Sequence, residues 1–215
     1  MKELDLQGDY VMNFICRRED GLQYREVKNT QVNKDLLIPS DLEEFVSSAS
    51  PKEWKRLLKK YETSRDLTNA LIGELKERLM EATNVAIFIN NNRTITFEGE
   101  SLRLFFVSGT ELKGDEEFEK NIFSAVEEMP YLYKVDGMTQ FSIRPDISFF
   151  INGMFFSYAE LKSNFNNQSA KVNGRKKVVY DYMEAVQAYT KLADRNDTKQ
   201  TLRSANLVYA CTASI

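Results

Sequence analysis

The chain has 215 residues, with 29 Lys and Arg against 32 Asp and Glu, and it contains no histidine. The lack of imidazole excludes Ser-His-Asp and Cys-His catalysis, histidine-ligated zinc, zinc deaminases, and nucleases of the HNH and phospholipase D types. No GxxxxGK[ST] loop and no GxGxxG turn occurs, which excludes nucleotide binding by either route. The net charge of −3 gives no global attraction to nucleic acid, so DNA contacts would come from local basic patches.

Length and composition suit one α/β (α+β) domain that spans residues 1–215. No apolar run approaches the roughly 18 residues of a membrane span, and the start MKELDLQGDY lacks the apolar stretch of a secretory signal. The two cysteines, Cys16 and Cys211, suggest a reducing compartment and inert core thiols rather than nucleophiles. We therefore expect a cytoplasmic protein that does not associate with a membrane.

Hydrophobic periodicity and turn residues predict the elements in chain order. They are strands at 11–16 and 22–29, helices that start at Ser40 and Pro51, a helix over 67–80, strands at 85–89, 94–99 and 102–109, a helix over 115–129, a strand at 131–135, a hairpin over 141–162, a basic loop over 163–177, a helix over 178–194 and a strand at 207–214. Residues 1–83 would pack as strands and helices on a core formed by 84–215. Because the chain stops directly after its last strand, we expect a fragment of a longer protein.

The hairpin stretch, FSIRPDISFFINGMFFSYAELK, organises the chain. Two runs rich in Ile, Phe and Tyr flank Asn152-Gly153, a strong signal for a tight turn. Because side chains alternate along a strand, a loop of only these two residues would direct Asp146 away from the face of Glu160 and Lys162. A three-residue loop with a G1 bulge would place all three side chains on one face. We therefore predict that bulged register, or an equivalent bulge near the strand ends.

Two converging carboxylates and an ammonium are the groups that metal-assisted phosphodiester hydrolysis needs. Mg²⁺ is commonly held by one or two acids with waters and phosphate oxygens, so Asp146 and Glu160 are candidate ligands. Lys162 could orient the nucleophile or stabilise the transition state. Glu74 or Glu77 could add an acid, although a solvated, salt-bridging helix face is the simpler interpretation. The D…ExK spacing alone also arises by chance on exposed hairpin arms.

Several pieces of the chain together carry a resemblance to a known family. They are RPDISFFINGMFFSYAELK, WKRLLKKY upstream of VAIFI, EAVQAYTK and LVYACTAS. The sequence resembles the N-terminal nuclease domain of the R (motor) subunit of type I restriction enzymes over most of its length. The resemblance implies a PD-(D/E)xK, RecB-like core, a mixed sheet flanked by helices with an N-terminal helical extension. It also implies that Asp146, Glu160 and Lys162 are catalytic and that the two acids bind Mg²⁺.

The family also places a glutamine and a tyrosine four residues apart on the helix after ELK. Here Tyr189 can match the tyrosine, but Ala185 stands four residues before it and Gln187 only two. Supporting roles are expected for Gln187 and Tyr189. Candidate contacts to the DNA backbone are Arg144, Arg175, Lys176 and Lys177.

The resemblance further implies partners that are absent from this chain. An ATP-driven translocase would follow in the same subunit, ATP would serve that motor alone, and methylation (M) and specificity (S) subunits would complete a bacterial complex that cuts double-stranded DNA. Two alternatives stay open. One is a stand-alone PD-(D/E)xK nuclease of DNA repair or recombination, and the other is a non-catalytic docking module of the restriction complex.

Overall fold

A computed structural model describes residues 6–81, 85–108, 116–135, 138–161, 176, 177 and 180. These residues form a mixed α/β architecture, as predicted. The chain divides into two compact units. Unit 1 comprises Met1–Thr30, Phe123–Phe149 and Phe156–Ile215, and unit 2 comprises Gln31–Ile122 and Phe150–Phe155. Each unit is thus assembled from segments that are distant in the sequence.

The helices of the described residues lie mainly in unit 2. They are α1 (Leu6–Arg17), α2 (Pro39–Ala49), α3 (Pro51–Leu58), α4 (Ser64–Glu81) and α5 (Val85–Asn91), with a 3₁₀ turn at Asn29–Gln31. Helix α1 has π-type hydrogen bonding and belongs to unit 1. Pro39 and Pro51 occupy the first turns of α2 and α3, where a missing N–H removes no helical hydrogen bond. None of the described helices is both long and apolar enough to cross a membrane.

The strands form a mixed four-stranded sheet and two separate pairs. They are β1 (Arg25–Glu26), β2 (Thr94–Phe97), β3 (Glu100–Arg103), β4 (Phe123–Glu127), β5 (Tyr131–Val135), β6 (Met138–Ile143), β7 (Ile147–Ile151) and β8 (Met154–Ala159). The larger sheet has the order β1-β4-β7-β8, and β2-β3 and β5-β6 are antiparallel pairs. Strands β1 and β4 are parallel. Strands β4 and β7 are antiparallel, because Glu128 N donates to Asp146 O at 3.0 Å and Asn152 N donates to Ile122 O at 2.7 Å.

The core of unit 2 lies between α2, α3 and α4. Leu42 and Phe45 of α2, Leu57 of α3, and Leu71 and Leu75 of α4 are fully buried. Their spacing of three or four residues places them on one face of each helix. Full burial of each such side chain contributes about 1.5–3 kcal/mol relative to exposure, so these helices are held by their apolar faces.

The tip of the β7–β8 hairpin is part of unit 2 and is fixed there by the side chain of Asn152. Its Nδ2 donates to Leu104 O at 2.9 Å and to Asn121 Oδ1 at 3.0 Å. Its Oδ1 accepts a hydrogen bond from Ile122 N at 2.7 Å. Asn152 is fully buried, and these bonds satisfy polar groups that have no access to water.

The core of unit 1 lies on one face of the sheet, beneath α1. Met12 and Ile15 of α1 pack with Ala125 of β4 and Ile147 of β7. The residues that pack around this cluster are Val11, Cys16, Tyr24, Phe149 and Leu161. Helix α1 thus packs on strands β4 and β7.

The structure confirms the three predicted helices α2, α3 and α4 and corrects other predictions. Residues 85–89 were expected as a strand but lie in α5, because a short apolar run cannot be distinguished from a buried helix segment by periodicity. Residues 11–16 were expected as a strand but lie in α1. The predicted strand at 102–109 ends at Arg103.

The predicted helix over 115–129 is also wrong. Residues 116–118 are helical, but 123–127 form β4. Pairing on both sides, with β1 and β7, overrides the helical spacing of the apolar residues. The predicted helix over 178–194 is described only at residue 180, which is helical, and the strand at 207–214 lies outside the described residues.

Gly153→Ala is expected to lower the free energy of unfolding by about 3 kcal/mol or more. Gly153 has a φ of +79°, and a Cβ there would lie 2.5 Å from Ile38 O and 2.8 Å from Leu42 N. Gly73→Ala on α4 is the matched control. A Cβ at Gly73 would meet no atom within 4 Å, so alanine should stabilise the helix by about 0.5–1 kcal/mol. Urea denaturation of both variants measures the difference, and equal stabilities would contradict the close packing at Gly153.

Candidate functional site

The turn of the β7–β8 hairpin consists of Asn152-Gly153. Strand β7 ends at Ile151 and β8 begins at Met154, so the loop has two residues. Their φ angles are +50° and +79°, and two consecutive left-handed residues define a type I′ turn. The predicted three-residue loop with a G1 bulge is therefore wrong. Asn152 itself adopts the left-handed conformation that such a bulge would leave to Gly153.

Two aromatic pairs report the register of the hairpin. The ring centroids of Phe149 and Phe156 lie 6.3 Å apart, and those of Phe150 and Phe155 lie 5.6 Å apart. A two-residue loop places the members of each pair directly opposite one another, where aromatic side chains interact across strands. The pairing is therefore regular up to the turn.

Regular alternation stops where β8 ends, at Ala159. In an unbroken strand, residue 161 would lie on the face opposite to Phe156 and its partner Phe149. Leu161 instead packs on the cluster that contains Ile147, as Phe149 does. The predicted alternative, a bulge near the strand ends, stays a prediction.

Asp146 lies half-buried directly before β7, and its carboxylate binds the backbone of the other hairpin arm. Its Oδ2 accepts a hydrogen bond from Leu161 N at 2.5 Å. Its backbone carbonyl accepts one from Glu128 N at 3.0 Å. The carboxylate therefore lies at the peptide group that joins Glu160 to Leu161. The structure brings the two predicted metal ligands, Asp146 and Glu160, to the same end of the hairpin.

Glu160 follows the last residue of β8, and its side chain is 2% exposed. Its Oε1 accepts a hydrogen bond from Nζ of Lys177, whose side chain is 38% exposed. This ion pair compensates the cost of removing the carboxylate from water. Sequence reasoning assigned Lys177 to the DNA backbone and missed the pair, because no local spacing relates residues that are 17 apart.

The remaining predicted residues fall into two groups. Arg144 is exposed and lies 3.6 Å from Glu128, an exposed pair that contributes about 0–1 kcal/mol. Lys176 is exposed. The residues that lie outside the described part of the chain are Lys162, Arg175, Gln187, Tyr189 and Cys211.

The structure describes both candidate acids of α4, Glu74 and Glu77. Glu74 accepts a hydrogen bond from Arg78 Nε at 2.9 Å, one helical turn away. Glu77 is exposed. The salt-bridging helix face, which was the simpler interpretation of these acids, is what the structure shows for Glu74.

A second group of charges lies in unit 1 beside α1. Arg17 donates two hydrogen bonds to Glu26, at 2.9 and 2.8 Å, and these hold the pKa of Glu26 below its usual range. Burial, and then repulsion by Glu26, raise the pKa of Glu127. The two acids border a cavity of about 250 Å³ whose other lining residues are Val27, Lys28, Asn29 and Thr30. Sequence patterns did not indicate this grouping, because residue 127 was predicted to lie on a helix.

Cys16 is expected to react slowly with alkylating reagents, in keeping with an inert thiol. Burial, and then repulsion by Glu26, raise the pKa of the Cys16 thiol to about 11. Only about 0.1% of the thiol is then ionised at pH 8, against roughly a quarter of an exposed cysteine. In a Cys211→Ser variant, where Cys16 is the remaining thiol, iodoacetamide should react about a hundredfold more slowly than with a cysteine peptide. A peptide-like rate would contradict the burial of Cys16.

The described residues contain no group of three or more His, Cys, Asp or Glu side chains that could hold a metal ion. A magnesium site needs fewer, because Mg²⁺ is commonly held by one or two acids and completes its coordination with water and phosphate oxygens. Asp146 and Glu160 supply hard oxygen donors at one end of the hairpin. This donor set fits such a cation.

Comparison with known proteins matches residues 18–203 to a family model described as Type I restriction enzyme R protein N terminus (HSDR_N). The matched range covers most of the 215 residues and includes the whole hairpin. No curated protein and no solved structure gives a significant match to this chain.

Proposed function

Because the chain belongs to the family of the type I restriction enzyme R protein N terminus, we propose that it is the endonuclease domain of such an R subunit. Family membership gives the chain a role in a restriction system. The reaction is Mg²⁺-dependent hydrolysis of phosphodiester bonds in double-stranded DNA, at a site of the PD-(D/E)xK type.

One contact carries this proposal: the hydrogen bond between Asp146 Oδ2 and Leu161 N. It holds the aspartate carboxylate beside the peptide group that follows Glu160. A regular two-residue hairpin would have separated these acids onto opposite faces. Both acids lie just beyond the ends of β7 and β8, where strand alternation no longer fixes the face of a side chain, and the hydrogen bond to Leu161 N supports a shared site.

The residues of the proposed site would have different roles. When bound, a divalent cation supplies an activated water and neutralises charge on the phosphate. Asp146 and Glu160 would hold the cation, and both are restrained beforehand, one by a backbone amide and the other by burial. Lys162 would orient the attacking water or stabilise charge on the phosphate. Supporting roles fall to Gln187 and Tyr189, and contacts to the DNA backbone to Arg144, Arg175 and Lys176.

The proposal extends to a larger subunit and its partners. Cleavage would be coupled to an ATP-driven DNA translocase that follows in the full-length protein, and M and S subunits would complete the complex in the bacterial cytoplasm. The net charge of −3 suits a domain that receives DNA from a motor instead of binding it tightly alone.

A non-catalytic docking module is the second candidate, and the ion pair between Glu160 and Lys177 favours it. A site without catalytic activity would also retain an ammonium that pairs with the buried carboxylate. The two candidates differ in one measurable property, since a docking module would lose no activity when its acids are neutralised.

The test is linearisation of plasmid DNA by the full-length subunit with its M and S partners, ATP and Mg²⁺. Wild type is compared with Asp146→Asn and Lys162→Ala, and ATP hydrolysis is followed in parallel. Loss of cutting with retained ATP hydrolysis supports the nuclease, and normal cutting by both variants overturns it.

A further inference from the structure

We propose that Lys177 is a positioning residue that holds the Glu160 carboxylate before a cation binds and leaves it when a divalent cation takes its place. This inference rests on the proposed function. It assigns to Lys177 a role at the metal site, in place of the predicted contact with the DNA backbone.

The two partners of the ion pair are unequally buried. The Glu160 side chain is 2% exposed, whereas that of Lys177 is 38% exposed. A buried carboxylate needs a compensating partner, and the ammonium provides it. Because lysine has a long flexible stem, its ammonium can withdraw to water while the carboxylate stays in place.

The Lys177 ammonium and a divalent cation compete electrostatically for the Glu160 carboxylate. An oxygen of Glu160 that already binds the Lys177 ammonium offers less of its charge to a second cation. A divalent cation at the same carboxylate would also repel the ammonium, since the Glu160 carboxylate is shielded from water. The two binding events therefore oppose one another, and the effect is reciprocal by linkage.

The neighbouring lysine, Lys176, differs from Lys177 in its surroundings. Lys176 is exposed and directly adjacent in the chain, yet it is Lys177 that binds the buried acid. The contact therefore depends on position rather than on a general excess of positive charge near the hairpin. Lys176 supplies a matched control.

The experiment is a calorimetric titration of the 215-residue chain with Ca²⁺, which probes the site without turnover. Lys177→Gln removes the charge but keeps a hydrogen-bond donor for Glu160, and it should bind Ca²⁺ about tenfold more tightly than wild type. Lys177→Met should also bind Ca²⁺ more tightly than wild type. Lys177→Arg, which keeps the charge, and Lys176→Gln should bind like wild type.

The outcomes separate this inference from the proposed function. The role of Lys177 can be judged when wild type binds Ca²⁺ and when Asp146→Asn and Glu160→Gln weaken Ca²⁺ binding. In that case, a Ca²⁺ affinity of Lys177→Gln and Lys177→Met that equals or falls below that of wild type overturns the role of Lys177. If wild type does not bind, or if neither acid matters, the proposed metal site itself is overturned. A thermal melt without Ca²⁺ accompanies each variant, and a folding defect could not mimic the expected gain, because it cannot tighten binding.

Discussion

Asp146→Asn is expected to reduce DNA cleavage by the full-length subunit by a factor of about 100 or more, with ATP hydrolysis unchanged. Asparagine keeps the shape of the side chain and can still accept the hydrogen bond from Leu161 N. It lacks the negative charge that a divalent cation requires. The loss should therefore come from chemistry at the site and not from unfolding of the hairpin.

Lys162→Ala should reduce cleavage by a similar factor, because the proposed site uses this ammonium to orient the attacking water or to stabilise charge on the phosphate. Glu74→Gln is the control: Glu74 pairs with Arg78 on α4, and its neutralisation should leave cutting intact. Quantified linear and supercoiled plasmid, sampled over time, gives the rates. Wild-type cutting by both Asp146→Asn and Lys162→Ala would assign the hairpin a structural role only.

Asn152→Ala is expected to lower the free energy of unfolding by about 4 kcal/mol. The substitution removes three buried hydrogen bonds and leaves Leu104 O and Ile122 N without this partner. Alanine at a φ of +50° adds about 1 kcal/mol of backbone strain. This side chain, which looks like a simple turn residue in the sequence, is therefore expected to be one of the most sensitive in unit 2.

Asn92→Ala provides the comparison for that measurement. Asn92 is exposed after α5, and its amide donates one hydrogen bond, to Phe88 O at 3.1 Å. Its loss should cost less than about 1 kcal/mol, because water can replace the bond. Urea denaturation followed by circular dichroism measures both variants. A cost at Asn152 as small as that at Asn92 would contradict the buried network.

The sequence alone determined features that depend on local chemistry. The predicted helix starts, Ser40 and Pro51, lie within one residue of the starts of α2 and α3, and the apolar spacing over 67–80 identifies α4. Asn152-Gly153 identifies the hairpin, because few other residue pairs adopt two positive φ angles. The hairpin, together with WKRLLKKY, EAVQAYTK and LVYACTAS, indicated the family, which the comparison then confirmed.

Tertiary structure decided whether short apolar segments became helix or strand. Residues 85–89 and 123–127 are both apolar or mixed runs of similar length, yet the first lies in α5 and the second forms β4. Strand β4 has a partner on each side, and such pairing is invisible in the sequence of the segment itself.

The arrangement of the acids was likewise decided by packing between distant residues. Face alternation predicted that Asp146 and Glu160 need a bulge to meet, but not where it would lie. The turn is regular, and both acids lie just beyond the ends of β7 and β8, where strand alternation no longer fixes the face of a side chain. The contact between Glu160 and Lys177 joins residues that are 17 apart in the sequence, so only the folded chain could reveal it. Burial of the Glu160 carboxylate makes an ammonium partner necessary.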